Sequence, residues 1–99
     1  MHFVSRKPLE AFWNKNAIAE GSLKAFFKIC EDANWKTPHD MESEFGSSNC
    51  DTIGNNRYVI DVKGNNIRVI VIIRFSMGRI FCRWVGWHKD YDKIDAKTV

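Results

Sequence analysis

Apolar residues recur at helical spacing through the first third of the chain and at strand spacing through the second half. Phe3-Val4 predicts a short initial strand. Ser5 then offers an N-cap hydroxyl to a helix over Arg6–Lys15, with Pro8 tolerated in its first turn. Leu9, Phe12 and Trp13 fall at i, i+3 and i+4 and give that helix one apolar face. Asn14 to Asn16 marks a break. A second helix is expected over Ala17–Ala33, with a stripe of Ile18, Ser22, Ala25, Phe26 and Ile29 widened by Leu23, Phe27 and Cys30. Lys24, Lys28, Glu31 and Asp32 face outward, so the two helices read as a hairpin with buried inner faces.

Thr37 to Asn56 has no clear period and is rich in turn chemistry: Thr37-Pro38, Gly46-Ser47-Ser48-Asn49 and Gly54-Asn55-Asn56. It is expected to lie over the surface, with a short helical turn around Met41–Phe45. Beyond it, Tyr58–Val62, Ile67–Phe75 and Ile80–Trp87 are β-branched and aromatic runs. Lys63-Gly64-Asn65-Asn66 and Ser76-Met77-Gly78 supply the turns between them. The predicted class is α+β: two N-terminal helices packed on a small antiparallel sheet with a C-terminal three-stranded meander. Lys89–Val99 is polar, and Tyr91 and Ile94 can seat a short helix against that sheet.

Register decides which polar side chains meet, because strand side chains alternate between faces. With Gly64-Asn65 as a two-residue turn, Asp61 lies opposite Arg68, Val62 opposite Ile67 and Lys63 opposite Asn66. With Met77-Gly78 as the second turn, Arg68 lies opposite Trp87, Ile70 opposite Val85 and Ile72 opposite Arg83. Asp61, Lys63, Arg68, Arg83 and Trp87 then share an open face. Tyr58, Ile60, Val62, Ile67, Val69, Val71, Ile73, Cys82 and Trp84 form the face under the helices. A three-residue second turn would move Arg83 to the other face.

Composition adds limits. The chain has 99 residues, 44% hydrophobic and 27% charged, which fits one domain over residues 1–99 that buries a core and is not disordered. The longest apolar run is interrupted by Arg68 and Arg74 and falls short of the ~20 residues a membrane helix needs. No signal-peptide pattern follows Met1. Cys30, Cys50 and Cys82 form neither a disulfide framework nor a zinc spacing, so a reduced, cytoplasmic protein is expected. His39, Asp40, Glu42 and Glu44 lack a defined coordination spacing, and no metal is assigned to them.

Charge changes the picture more. The net charge of +3 hides an asymmetry: residues 1–56 carry six basic and eight acidic side chains, residues 57–99 nine and four. From Arg57 to Lys89, seven basic residues face the single Asp61. Such segregation marks a surface for an anionic partner, nucleic-acid phosphate above all, or it protects strand edges from aggregation. Arginine grips phosphate bidentately, and an indole can stack on an unpaired base. The plainer alternatives are an Arg68–Asp61 cross-strand ion pair and ordinary edge packing of Trp87.

Trp87-His88-Lys89-Asp90-Tyr91 brings an imidazole, an ammonium and a phenol to the end of the basic sheet. Metal-free RNA cleavage needs a group to accept the 2′-hydroxyl proton, one to protonate the leaving 5′-oxygen, and cations around the phosphorane. Imidazole, with an ordinary pKa of about 6.5, suits either proton transfer. His2 and His39 have no convergent partners. A dinucleotide fingerprint and a P-loop are both missing.

From Asn56 to Asp95 the chain resembles the HigB toxin family, within the RelE-like messenger-RNA interferases. The carrying residues are Asn56-Arg57-Tyr58-Val59-Ile60-Asp61, Gly64-Asn65-Asn66-Ile67-Arg68-Val69-Ile70 and Trp87-His88-Lys89-Asp90-Tyr91-Asp92-Lys93-Ile94-Asp95. The last is similar to the family's threonine-histidine-x-x-tyrosine-aspartate-lysine ending, with Trp87 in place of the more usual threonine. The resemblance implies a cytoplasmic RNase that cuts messenger RNA, often on the ribosome, without cofactor or metal. It implies silencing by a HigA-like helix-turn-helix antitoxin, with operator DNA reached only through that antitoxin and no membrane partner. The family's motif arginine falls on Arg68, its basic last-strand position on Arg83, its histidine on His88 and its tyrosine on Tyr91. These four are the expected catalytic residues; Lys63, Arg57, Lys89 and Trp87 are expected to bind RNA. The rival from another class is a non-catalytic RNA- or ribosome-binding module, and a third reading is a domain that meets an acidic protein.

Overall fold

The computed structural model describes residues 1–64 and 66–99. The chain runs β1 (His2–Phe3), α1 (Lys7–Lys15), α2 (Glu20–Asp32), α3 (Pro38–Phe45), β2 (Cys50–Gly54), β3 (Arg57–Val62), β4 (Ile67–Arg74), β5 (Arg79–Trp87) and α4 (His88–Tyr91). The strands make one sheet in the order β1-β5-β4-β3-β2. β1 is parallel to β5, and the other pairs are antiparallel. The predicted α+β class and C-terminal meander are present. The sheet is wider than expected by β2 on one edge and mixed through β1 on the other.

Helix α1 begins at Lys7, with Arg6 at its N-cap and no side-chain cap; Ser5 is one residue too early for the role expected of it. Pro8 in the first turn supplies the pre-set φ instead. Asn16 ends the helix as the break predicts: its backbone N–H and its side-chain amide both donate to Phe12 O, at 2.9 and 3.0 Å.

The stripe on the second helix needs correction. A 3-10 turn over Ala17–Ala19 precedes α2, and the buried residues are Ala19, Leu23, Phe26 and Cys30. Ile18 is 70% exposed and Ile29 36%. The buried positions keep helical spacing through the 3-10 turn, so the face toward the sheet is the Leu23–Phe26–Cys30 stripe, one residue on from the expected Ser22–Ala25–Ile29 stripe.

Thr37–Asn56 is more regular than expected. Thr37 and Asp40 form a reciprocal capping box, with Pro38 at the first helical turn, and start α3 three residues before the expected turn at Met41. β2 is an edge strand whose only buried residue is Cys50, so it carries no alternation for sequence reading to find. Asn55 and Asn56 both have positive φ, 54° and 61°, the geometry of a type I′ hairpin turn into β3.

The core lies between α1, α2 and one sheet face. Leu9, Leu23, Ile60, Ile67, Val69 and Ile80 are fully buried there. Removing a core leucine such as Leu23 typically costs about 2–5 kcal/mol. On the opposite face, which carries Arg68, Val59 and Ile70 are buried as well, and α4 and the residues after it lie against that side.

Candidate functional site

The β3–β4 hairpin keeps the expected register, with Asp61 opposite Arg68 and Val62 opposite Ile67. Asn65, half of the expected turn, lies outside the described residues. The β4–β5 hairpin departs from expectation. Its connection is Phe75–Gly78, closed by Gly78 at φ 64°, so Arg74 pairs with Arg79 and Ile72 with Phe81. A β-bulge then inserts Arg83 between Cys82, opposite Val71, and Trp84, opposite Ile70.

That extra residue exchanges the two tryptophans. Trp87 pairs with Ile67 and faces the helices, its ring 5.2 Å from Phe12. It therefore does not share the Arg68 face, as a two-residue turn had required. Trp84 leaves the core face assigned to it and lies on the Arg68 side, its ring 6.1 Å from Tyr91. Arg68 sits opposite Gly86 rather than Trp87. A Cβ at Gly86 would run into the Trp84 ring, so glycine is what lets that indole lie across β5.

Around Arg68 the groups converge. Its Nε is 3.3 Å from Asp61 Oδ1, with side-chain exposures of only 19% and 11%. The contact is poorly aligned: Nε is buried and has no hydrogen-bond partner among the described residues. The guanidinium carbon lies 4.6 Å from the centroid of the Tyr91 ring. Asp61 thus holds one edge of the guanidinium and Tyr91 covers one face, in turn backed by Trp84. A cation in this position is oriented before any ligand arrives.

His88 opens α4 directly after β5, and its backbone N–H donates to Asn66 O at 2.8 Å. Its side chain is exposed. With Asn66, Trp87 and Lys89 it lines a hollow of about 500 Å³. His88 and Tyr91 stand three residues apart on this turn, the spacing that puts two side chains on one helix face.

The other expected residues lie apart. Lys63 has φ 56° and lines a groove against α2 with Phe26, Ile29 and Phe45. Arg83 and Arg57 are together on the open face, farther along the sheet, and both donate to the Val99 backbone oxygen. Asp61, Trp84 and Gly86 were not among the expected site residues. Gly86 carried the one usable signal, a lone glycine inside an apolar strand pattern.

The cysteines are poor nucleophiles. Burial pushes the Cys82 thiol up to about 12 and the Cys50 thiol up to about 11, and it raises Cys30 as well. His39, Asp40, Glu42 and Glu44 lie on α3, where the Asp40 carboxylate accepts the Lys36 and Thr37 N–H groups. Among the described residues no three His, Cys, Asp or Glu side chains converge as metal ligands. Nor, among them, is any helix long and apolar enough to cross a membrane.

A basic open sheet face, an oriented arginine and a histidine-tyrosine turn are thus in place. The family model for HigB toxin, a RelE-like toxic component of a toxin–antitoxin system, matches residues 19–94. The chain belongs to the HigB toxin family. Among curated HigB relatives, the mRNA interferase HigB of Escherichia coli O6:H1 is 32% identical over 94 residues, 95% of this chain and 91% of that protein. The mRNA interferase toxin HigB of Escherichia coli K12 is 27% identical over 96 residues, covering 97% and 92%. The mRNA interferase HigB of Shigella flexneri gives the same figures. As a HigB toxin, the chain has an antitoxin as its partner.

Proposed function

We propose that this HigB toxin is a metal-independent endoribonuclease that cuts messenger RNA and so stops translation and growth. The observation that carries the reading is Arg68, held between the Asp61 carboxylate and the Tyr91 ring at the mouth of the α4 turn. Arginine is the matched donor for a phosphate, and here the guanidinium is already oriented.

The scissile phosphate lies against Arg68, which stabilises the charge that builds in the transition state. His88 is the favoured proton-transfer group, taking the 2′-hydroxyl proton or delivering one to the leaving 5′-oxygen. Tyr91 orients Arg68 and shares the proton transfer or stacks on a base. Arg83 adds positive charge to the reacting strand. Lys63, Arg57, Lys89 and Trp87 bind RNA, with Trp87 and Lys89 offering an indole and an ammonium in the hollow beside His88. Messenger RNA is met on the ribosome in the cytoplasm. A HigA-like helix-turn-helix antitoxin silences the toxin, and operator DNA is contacted through that antitoxin alone.

The test is to induce the toxin in growing cells and compare wild type with Arg68→Ala and His88→Ala/Tyr91→Ala. Growth arrest with new messenger-RNA 5′ ends, lost in both variants, is expected. Arrest without new ends would favour a non-catalytic RNA- or ribosome-binding module. Normal growth with unaltered messenger RNA would remove the toxin reading for this site.

A further inference from the structure

We propose that the outer end of the β4–β5 ladder binds one nucleotide of single-stranded RNA, its phosphate on Arg74 and Arg79 and its base against the Phe81 ring. Arg74 and Arg79 are directly opposed, so two guanidinium stems leave the sheet from points about 5 Å apart. Like charges placed this way destabilise a ladder. Both residues are exposed, and among the described residues neither has a carboxylate at ion-pair distance. The flanking strands bring none: His2 of β1 stands opposite Arg79, and the Asn56 carbonyl accepts the Ile73 N–H beside Arg74. The only acidic residue from Arg57 to Trp87 is Asp61, and Arg68 holds it. Two uncompensated guanidinium groups on adjacent strands suit a phosphate, which has an oxygen for each.

The next rung inward supplies the seat for a base. Ile72 pairs with Phe81 there, both are half-buried, and alternation puts both on the sheet face of Arg74 and Arg79. Ile72, Arg74, Phe81 and Arg83 line a hollow of about 220 Å³. Arg83 is already engaged, because its Nε donates to the Val99 oxygen at 3.2 Å. An aromatic wall with cations at its rim is how proteins hold an unstacked base and the phosphate next to it. An acidic peptide would use the arginines and leave the ring idle. Arginines that only guard a strand end against aggregation would leave it idle too.

The position relative to Arg68 fits one continuous strand of RNA. Arg68 and Arg74 lie on the same face of β4, six residues and roughly 20 Å apart. Several nucleotides of single strand cover that distance, so RNA whose scissile phosphate is at Arg68 reaches Phe81 with a nucleotide outside the reacting centre. A short RNA does not. The site adds affinity for long substrates and has no part in the chemistry.

This inference rests on Arg68 being an RNA phosphate site, so the experiment separates the two claims by RNA length. Anisotropy measures binding of 2′-O-methylated, uncleavable RNAs of about four and about twelve nucleotides, from about 50 to about 200 mM salt. For the long RNA, Arg74→Gln/Arg79→Gln should weaken binding severalfold and make the log–log salt slope shallower by about 0.7, the value for one phosphate. Phe81→Ala should weaken it severalfold with the slope unchanged, and Phe81→Tyr, which keeps the ring, should bind as wild type does. Binding of the short RNA should be unchanged in all three, which also reports that they fold, and lost in Arg68→Ala. An oligoglutamate of the same length should fail to displace the long RNA. An unchanged slope in the arginine pair overturns the phosphate site. Long-RNA binding indifferent to Phe81→Ala overturns the base seat. Equal losses for short and long RNA in the arginine pair would mean diffuse charge in place of a site. Oligoglutamate that binds wild type and not the arginine pair would make the ligand an acidic protein and overturn the RNA assignment. Short-RNA binding indifferent to Arg68→Ala would count against the Arg68 site, whatever the long RNA does.

Discussion

Arg68 owes its pose to the Asp61 carboxylate and the Tyr91 ring, with Trp84 behind that ring. The Tyr91 ring supplies a cation–π contact in the range of about 0.5–2 kcal/mol. Tyr91→Phe should therefore keep RNA affinity, while Tyr91→Ala should lose it in the same binding assay. If Tyr91→Phe keeps affinity and also cuts at the wild-type rate, the phenol has no part in proton transfer. Gly86→Ala tests the support one layer back. Its methyl would displace Trp84, and overpacking of this kind costs about 1–3 kcal/mol. Urea unfolding should show that loss together with reduced cleavage, although Gly86 itself has no group to offer the substrate. Thiol chemistry should be silent. With burial pushing the Cys82 thiol up, iodoacetamide should label it far more slowly at pH 8 in the folded protein than after denaturant is added. Labelling of Cys82 at the denatured rate in the folded protein would contradict that burial.

At the scale of elements, one inserted residue decides the site. Strand runs and the Asp61–Arg68 register could be read from alternation, because a slip of one residue would turn the buried side chains of both strands outward. The Arg83 bulge could not. Its position depends on how the Phe75–Gly78 connection and the Val71–Cys82 pairing fit the twist, and no single residue type announces that. The tryptophans were consequently read onto the wrong faces, while Arg68, His88 and Tyr91 were legible from motif and spacing. β2 escaped notice for a different reason: an edge strand that buries only Cys50 has no hydrophobic pattern, and its sole herald was the Asn55-Asn56 turn. Helix α3 hangs on its capping box, so Thr37→Ala should cost about 1 kcal/mol in urea unfolding. The Lys36 and Thr37 N–H groups hold the Asp40 carboxyl below the usual carboxylate range. A folded pKa below the unfolded one stabilises at neutral pH, and the contribution is lost as pH falls below about 4 through the folded value. Asp40→Asn should flatten the stability profile in that acid window, and an unchanged profile would show that the cap carries no charge-dependent stability.

For the whole molecule, the acidic excess sits in residues 1–56 and the basic excess in residues 57–99. The helices cover one sheet face and the arginines of β3, β4 and β5 lie on the other, so fold and charge segregation describe the same division. If four to six phosphates are neutralised there, single-strand affinity should fall with salt at a log–log slope of roughly −3 to −4. A flat response would mean that the basic stretch meets its partner by something other than phosphate charge.

The claim at the centre of the account is that Arg68 and the α4 turn cut messenger RNA. Mapping messenger-RNA 5′ ends after induction, in wild type, Arg68→Ala and His88→Ala/Tyr91→Ala, reads that claim most directly. New ends in wild type that vanish in both variants are the predicted result. The same new ends persisting in Arg68→Ala would contradict it and move the chemistry elsewhere on the molecule.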